Sequence, residues 1–337
     1  MVADRYRIVQ DVGMGTFGRV VECIDTHTSS TDRVAIKIVR NIKRYTDSAI
    51  IEADIVQDIN RRGGAGQSHI SRMFDRFALP TGHYCLVFEC LGPSLYDFLK
   101  SHDHRPFPLY CVRDFARQLL EALGFLHSMN LVHTDLKPEN ILLTTCGEIA
   151  YRGEYEYGDG TTTDTRVMVP ASTRIKVIDF GGATYDTESK SSIINTRQYR
   201  APEVILGLGW SFPSDLWSAG CIIAELYKGE LLFGTHDNTE HLALMERAVG
   251  PFPRAMVKRA TTNGDAFDSS SGRHRGRDVL SSRSYEHVQK IEPIENVVWE
   301  EDRHSGFIEL LHALLVIDPA RRAIANEALS ECGMFFK

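Results

Sequence analysis

The chain of 337 residues has seven cysteines, at 23, 85, 90, 111, 146, 221 and 332, and no C-x-x-C pair among them. An odd, scattered set is neither a zinc module nor a disulfide framework; it reads as reduced thiols of an intracellular protein. No apolar run approaches the roughly 18 residues that cross a bilayer, so no membrane partner is expected. The opening Met-Val-Ala-Asp-Arg-Tyr-Arg is polar and shows no secretory signal. Positive charge is not in excess: 38 basic against 45 acidic residues leave a net −7. That balance argues against direct nucleic-acid binding and favours basic partners. No internal repeat is visible. With 43% apolar and 25% charged residues, a disordered tail, a collagen-like chain and a coiled-coil rod are excluded. The length suits about two domains.

What is present divides the chain in two. Up to about residue 91 the patterns are β-rich, at 6–9, 19–24, 34–39 and 84–88, with one helical spacing at 47–60 (Ile51, Ile55, Val56, Ile59). The Thr/Ser/Asp-rich stretch 26–32 reads as a hairpin loop. After Gly92-Pro93 the spacing becomes helical, at 109–129, 215–232 and 307–315. This predicts an α+β protein of two lobes, 1–91 and 92–337, joined near Glu89 to Gly92. Two polar stretches, 144–173 and 261–289, read as surface insertions with some local structure.

Chemistry concentrates in a few strings. Gly13-Met14-Gly15-Thr16-Phe17-Gly18 is followed by strand-forming residues, not by a helix. That excludes the dinucleotide turn of an oxidoreductase and suits a flap whose backbone can approach phosphates. Lys37 lies inside the apolar string Val34-Ala35-Ile36-Lys37 and needs a partner there; Glu52, on the helical segment, is the expected one. His133-Thr134-Asp135-Leu136-Lys137-Pro138-Glu139-Asn140 sets a carboxylate, a cation and an amide on one constrained loop. Asp135 can orient or accept a hydroxyl proton, Lys137 can neutralise a transferring phosphoryl group, and Asn140 can hold a metal ion. His133 reads as a packed structural residue. Asp179, at a strand end before Phe180-Gly181, suits a Mg2+ ligand. Glu203, in Ala201-Pro202-Glu203, is expected to pair with Arg322.

In this order the strings resemble the signature set of the protein kinases, from Tyr6 to Phe336. The resemblance implies a bilobal kinase fold with ATP and Mg2+ as cofactors. Gly13, Gly15 and Gly18 would cover the phosphates, and Lys37, held by Glu52, would grip two of them. Val20, Ala35 and Leu142 would sandwich adenine. Glu89 and Leu91 would supply linker hydrogen bonds, with Phe88 as gatekeeper. Asp135 would be the catalytic base, aided by Lys137, with Asn140 and Asp179 as metal ligands. All four positions that a pseudokinase tends to lack (Lys37, Asp135, Asn140, Asp179) are filled. Thr196-Arg197-Gln198-Tyr199-Arg200-Ala201-Pro202-Glu203 resembles the CMGC group. Glu240-His241-Leu242-Ala243-Leu244-Met245-Glu246-Arg247 resembles the LAMMER signature of the CDC-like kinases, within an insert spanning 240–290. Stretch 144–173 falls where that family carries a β-hairpin. The string 240–251 itself reads as an amphipathic helix with Leu242, Met245 and Val249 inward. A DYRK-type enzyme is the alternative, although Tyr185 and Tyr199 are too far apart for its Y-x-Y pair.

The resemblance further implies a dual-specificity kinase acting on Arg/Ser-rich splicing factors, monomeric, in the nucleus or cytoplasm. Glu139 and Glu225 would hold substrate arginines. Thr134 stands where many kinases have an arginine that reads an activation-segment phosphate, so activity without such phosphorylation is expected. Gly182 replaces a commoner serine.

Overall fold

The structure, a computed structural model, describes residues 1–336 apart from 16, 29–32, 153–154, 157–161, 164–165 and 298–300. Part of the loop expected at 26–32 and the tip of the 144–173 insertion lie outside the described residues.

The first lobe is one antiparallel sheet of β1 (Tyr6–Met14), β2 (Gly18–Asp25), β3 (Arg33–Val39), β4 (Met73–Ala78) and β5 (Tyr84–Glu89), in the order β1-β2-β3-β5-β4. One face of it buries Tyr6, Val21, Cys23, Val34, Ile36, Cys85 and Val87. Alternation along β2 and β3 therefore sends Val20, Ala35 and Lys37 to the other face, towards the second lobe. Between β3 and β4 runs α1 (Lys43–Arg62), longer at both ends than its apolar spacing indicated. Ala53, Ile55, Val56 and Ile59 of α1 pack with Met73 of β4 and Leu86 of β5 in the main core cluster, which continues into the second lobe. The helix is thus fixed against the sheet, with its buried Glu52 facing β3.

The second lobe is mainly helical. α2 (Leu95–Ser101) starts on a Ser94–Asp97 capping box. α3 (Leu109–Ser128) buries Cys111, Val112, Phe115, Leu119, Leu120, Leu123 and Leu126 at helical spacing. The short strands β6 (Leu131–Val132) and β7 (Ile141–Leu143) bracket the catalytic string. The insertion forms β8 (Glu148–Arg152) and β11 (Arg166–Pro170), paired antiparallel, with the small pair β9 (Tyr155–Glu156) and β10 (Thr162–Thr163) further out. β12 (Ile175–Val177) pairs with β7 and β13 (Thr184–Tyr185) with β6.

After the short α4 (Pro202–Ile205), α5 (Pro213–Lys228) is the most buried helix. The sequence pattern extended it to 232. It stops at Lys228 because Gly229 takes φ 76° against the His104 carbonyl, where a Cβ would meet that oxygen at 2.1 Å. α6 (Asn238–Val249) carries the 240–251 string. It buries His241, Leu242, Ala243, Leu244, Met245 and Ala248, with Val249 half-buried. α7 (Arg254–Arg259), α8 (Ser282–Lys290), α9 (Glu301–Leu314), α10 (Ala325–Glu331) and α11 (Gly333–Phe336) follow; α8 is the main local structure of the 261–289 stretch.

Candidate active site

Three backbone devices set the site. Asp215, at the start of α5, accepts from the backbone N–H groups of His133 (2.8 Å) and Thr134 (3.1 Å), and pairs with His127 at 3.0 Å. Thr134 sits at φ 71° and Asp179 at φ 63°, both left-handed, so each loop turns sharply at its reactive end. His133 is fully buried and contacts the Ile178 carbonyl at 3.0 Å and the ring of Phe180 at 5.1 Å. It is the packed structural residue its context indicated.

These devices bring the expected side chains around a cavity of about 520 Å3, lined by Phe17, Lys37, Glu52, Asp135, Asp179 and Thr196 among others. Lys37 Nζ donates to both oxygens of Glu52, at 2.9 and 2.8 Å, and reaches Asp179 Oδ1 at 3.4 Å. Burial pulls the Lys37 ammonium down, but the two carboxylates outweigh it and its pKa lies above the usual value. Burial pushes the Asp179 carboxyl up, and Lys37 with His133 and Lys137 outweighs that, so it lies below the usual carboxylate range. Both therefore stay charged at neutral pH. Asp135, which also lines the cavity, accepts from Lys137 Nζ at its Oδ2 (2.6 Å), and Asn140 donates its amide N–H to the Asp135 carbonyl at 2.9 Å.

Sequence reasoning missed Thr196. Its backbone N–H and its hydroxyl both donate to Asp135 Oδ1, at 3.0 and 2.8 Å, and Lys137 also reaches its hydroxyl at 3.3 Å. The only signal was its place at the head of the string running to Glu203. Tyr185 was likewise read only for its spacing; its hydroxyl donates to Asp58 of α1 at 2.9 Å. The segment between Asp179 and Glu203 is held by bonds within itself and to neighbouring elements. Lys190 meets Asp186, Trp210 donates to the Ser191 carbonyl, and Arg200 donates to the carbonyls of Ile194 and Asn195.

The glycine loop, whose Phe17 lines the cavity, leaves room for a polyphosphate. A Cβ built on Gly13 or Gly15 would meet nothing within 4 Å, so both glycines face open space. Gly18 has a different reason: a Cβ there would lie 2.2 Å from the Ile38 carbonyl oxygen, so adjacent β3 demands the glycine. The Asp179 carboxylate, 39% exposed, and the Asn140 amide oxygen are oxygen donors of the kind a divalent cation takes. Gly182 also has a local cause. Thr134 donates its hydroxyl to the Gly182 carbonyl at 2.7 Å, and a Cβ on Gly182 would lie 2.8 Å from that hydroxyl oxygen.

The residues named for adenine are not among those lining this cavity, nor are Gly13, Gly15, Gly18, Lys137 and Asn140. Val20 stands opposite Lys37 on β2, and Ala35 opposite Phe88 on β5. Leu142 is half-buried on β7. The Glu89 side chain is committed elsewhere, to Lys176 at 2.7 Å and to the Arg72 backbone N–H at 2.7 Å. Among the described residues the Leu91 backbone has no hydrogen-bond partner.

Of the two carboxylates named for substrate, Glu139 is exposed beside the cleft. Glu225 is 6% exposed and accepts from the Tyr199 hydroxyl at 2.6 Å. Burial, opposed by that hydroxyl and reinforced by Glu139, pushes Glu225 up to about 7. Glu203 and Arg322 pair as expected, through two bonds of 2.8 and 2.9 Å.

Comparison with known proteins agrees with this geometry. The family model described as "Protein kinase domain" matches residues 6–332. Serine/threonine-protein kinase AFC3 of Arabidopsis thaliana is 45% identical over 99% of this chain and 82% of its own length. The human dual specificity protein kinase CLK2 is 42% identical over 97% of this chain and 63% of its own. A crystal structure of another kinase domain superposes with TM-score 0.91 at 39% identity, covering 100% of this chain and 96% of that one. With a lysine, two carboxylates and an amide gathered under a glycine flap, and with relatives of this kind along its whole length, the chain belongs to the protein kinases, among the AFC and CDC-like (LAMMER) enzymes.

Proposed function

We propose that this kinase transfers the γ-phosphoryl group of Mg2+-bound ATP to serine, threonine or tyrosine hydroxyls of Arg/Ser-rich proteins, in the regulation of pre-mRNA splicing. The observation that carries the chemistry is the set of charge contacts at one cavity: Lys37–Glu52–Asp179 and Thr196–Asp135–Lys137. Mg2+-ATP supplies the phosphoryl group and a cation to balance its charge. Lys37, fixed by Glu52, holds phosphate oxygens, and Gly13, Gly15 and Gly18 cover them with backbone. Asn140 and Asp179 supply oxygen ligands to the metal. Val20, Ala35, Phe88 and Leu142 enclose the base, with the Glu89 and Leu91 backbones as its hydrogen-bond partners. Asp135 orients the attacking hydroxyl and accepts its proton. Thr196 and Lys137 fix the Asp135 carboxylate, and Lys137 balances charge on the moving group. Such catalysis is positioning and charge neutralisation.

A basic substrate is supported by Glu139, exposed beside the catalytic loop, and by Glu225 behind it, which burial pushes up and whose ionisation a substrate guanidinium would favour. A shielded Arg–carboxylate pair contributes about 1.5–3 kcal/mol, so an arginine is worth roughly ten- to a hundredfold in kcat/KM. We further propose that the enzyme works as a monomer, in the nucleus or cytoplasm. The test compares kcat/KM for an Arg/Ser-repeat peptide, its Arg→Ala version and Pro-directed or acidic peptides, in wild type and Glu139→Gln. The Arg/Ser peptide is expected to lead by at least tenfold, and Glu139→Gln to narrow the lead. Equal efficiency for the first two peptides in wild type removes the basic-substrate reading. A Pro-directed preference favours the DYRK-type alternative.

A further inference from the structure

Phe17 stands at the tip of the glycine flap with its ring 53% exposed. The backbone at the tip is fixed twice. The Gly15 N–H donates to the Gly18 carbonyl at 2.9 Å, and the Phe17 carbonyl accepts from the Arg40 N–H, just past the end of β3, at 2.9 Å. The ring is the part of the tip that remains to find a contact. Among the described residues its one ring partner is Tyr45, in the first turn of α1. The two centroids lie 5.3 Å apart at 86°, an edge-to-face pair. Tyr45 is half-buried; the Arg44 guanidinium lies 4.7 Å over its ring and donates to its hydroxyl at 2.9 Å.

Tyr45 also shares a helix face with the site. Tyr45, Ser48, Ala49 and Glu52 all line the cavity that holds Lys37 and Asp179, and their spacing of i, i+3, i+4 and i+7 sets them on one face of α1. That face meets the flap tip at one end. Two turns on, it carries the Glu52 carboxylate that binds Lys37. With the Phe17 ring against Tyr45 the cavity still measures about 520 Å3, so the contact bounds the space beside Lys37 without filling it.

We propose that Tyr45 is the latch of the glycine flap: a positioning residue that holds Phe17 against α1 and so keeps the flap closed on a bound nucleotide. It acts through Phe17, not on the nucleotide itself. A flap held at its tip opens less often, and nucleotide leaves more slowly. The flap covers phosphates before and during transfer alike, so the latch bears on binding and release, while Lys37, Asp135 and Asp179 serve the transfer step. The inference rests on the nucleotide site of the proposed function.

Release is followed by stopped flow with Mg2+ and mant-ATP, a fluorescent analogue, with no peptide present. The transfer step is followed by single turnover of an Arg/Ser peptide at saturating ATP. Tyr45→Ala and Phe17→Ala are each expected to release nucleotide roughly two- to tenfold faster, the span of one aromatic pair. The double variant is expected to release it no faster than either single one, because the same contact is removed twice. Tyr45→Phe keeps the ring and is expected to restore slow release. Phe17 is exposed, so its variant decides the matter should Tyr45→Ala fold poorly. Unchanged release in Phe17→Ala overturns the latch. So do multiplying effects in the double variant, release from Tyr45→Phe as fast as from Tyr45→Ala, and a slower transfer step with release unchanged. Normal nucleotide binding in wild type without transfer to the peptide counts against the proposed function and leaves the release result standing.

Discussion

Two ion pairs of the same kind have opposite surroundings. Arg322 is completely buried against Glu203. Beyond its two bonds to that carboxylate it donates to the carbonyls of Pro213 (2.6 Å), Val316 (2.9 Å) and Ile317 (3.4 Å), and it stacks 5.2 Å over the Trp217 ring. Every direction around the guanidinium is filled by its own protein. Lys37 binds Glu52 as closely, yet its side chain is 20% exposed and opens on the cavity. A buried pair whose donors are all used inside is a clamp. A pair with one side left open can take up another anion.

The sharpest break between them is in activity. Lys37→Met or Asp179→Asn is expected to lower kcat by at least about a hundredfold, since each removes a charge set against the phosphates. The melting temperature of Asp179→Asn should stay close to that of wild type, whereas Lys37→Met, which leaves buried Glu52 without its cation, should lower it, though by less than Arg322→Met, because the Lys37 side opens on the cavity. Wild-type turnover in either variant would overturn the assignment of the site. The converse variant, Arg322→Met, leaves Glu203 buried without its partner and is expected to cost roughly 3–5 kcal/mol, seen as a lower urea midpoint. Its kcat per folded molecule should change little. An unchanged midpoint would show that the Arg322 pair contributes no more than the Lys37 pair.

The smallest effect is expected from removing phosphate. Thr134 has a neutral hydroxyl where an arginine would read an activation-segment phosphate, and it is already bonded to Gly182. Asn195 holds the segment to the Thr134 carbonyl through both its backbone N–H and its amide, at 2.9 Å each. Phosphatase treatment should therefore leave activity nearly unchanged. Silencing by phosphatase, reversed by rephosphorylation within 182–200, would show that the segment needs a charge to hold it.

Much of this was legible because kinase chemistry is written in short local strings. Lys37, Asp135, Asn140 and Asp179 each stand in a string through which the chain resembles its family, and the Glu52 and Arg322 partners followed from charge that had to be matched. Two-lobe organisation was legible from the change of period after residue 91. The rest depends on which distant segments meet. Nothing local marks Thr196 as the partner of Asp135, or Tyr185 as the partner of Asp58, because both contacts exist only once the segment has folded back on the lobe. Gly18 read as a phosphate-covering residue, yet the contact that forbids a side chain there is with β3. The end of α5 was misplaced because apolar residues continue through Leu232 while the backbone turns at Gly229.

Asp215 also bears on the order in which the molecule is built. Thr134 is β-branched and held in left-handed backbone, a conformation that costs about 1–3 kcal/mol when nothing enforces it. The enforcing bonds come from a carboxylate 81 positions further along the chain. A nascent chain that has made only the first lobe and α3 therefore has no means to keep residues 133–135 in their working shape. The catalytic loop sets late, after α5 has docked, so a chain cut short before that helix carries the catalytic string without the catalyst.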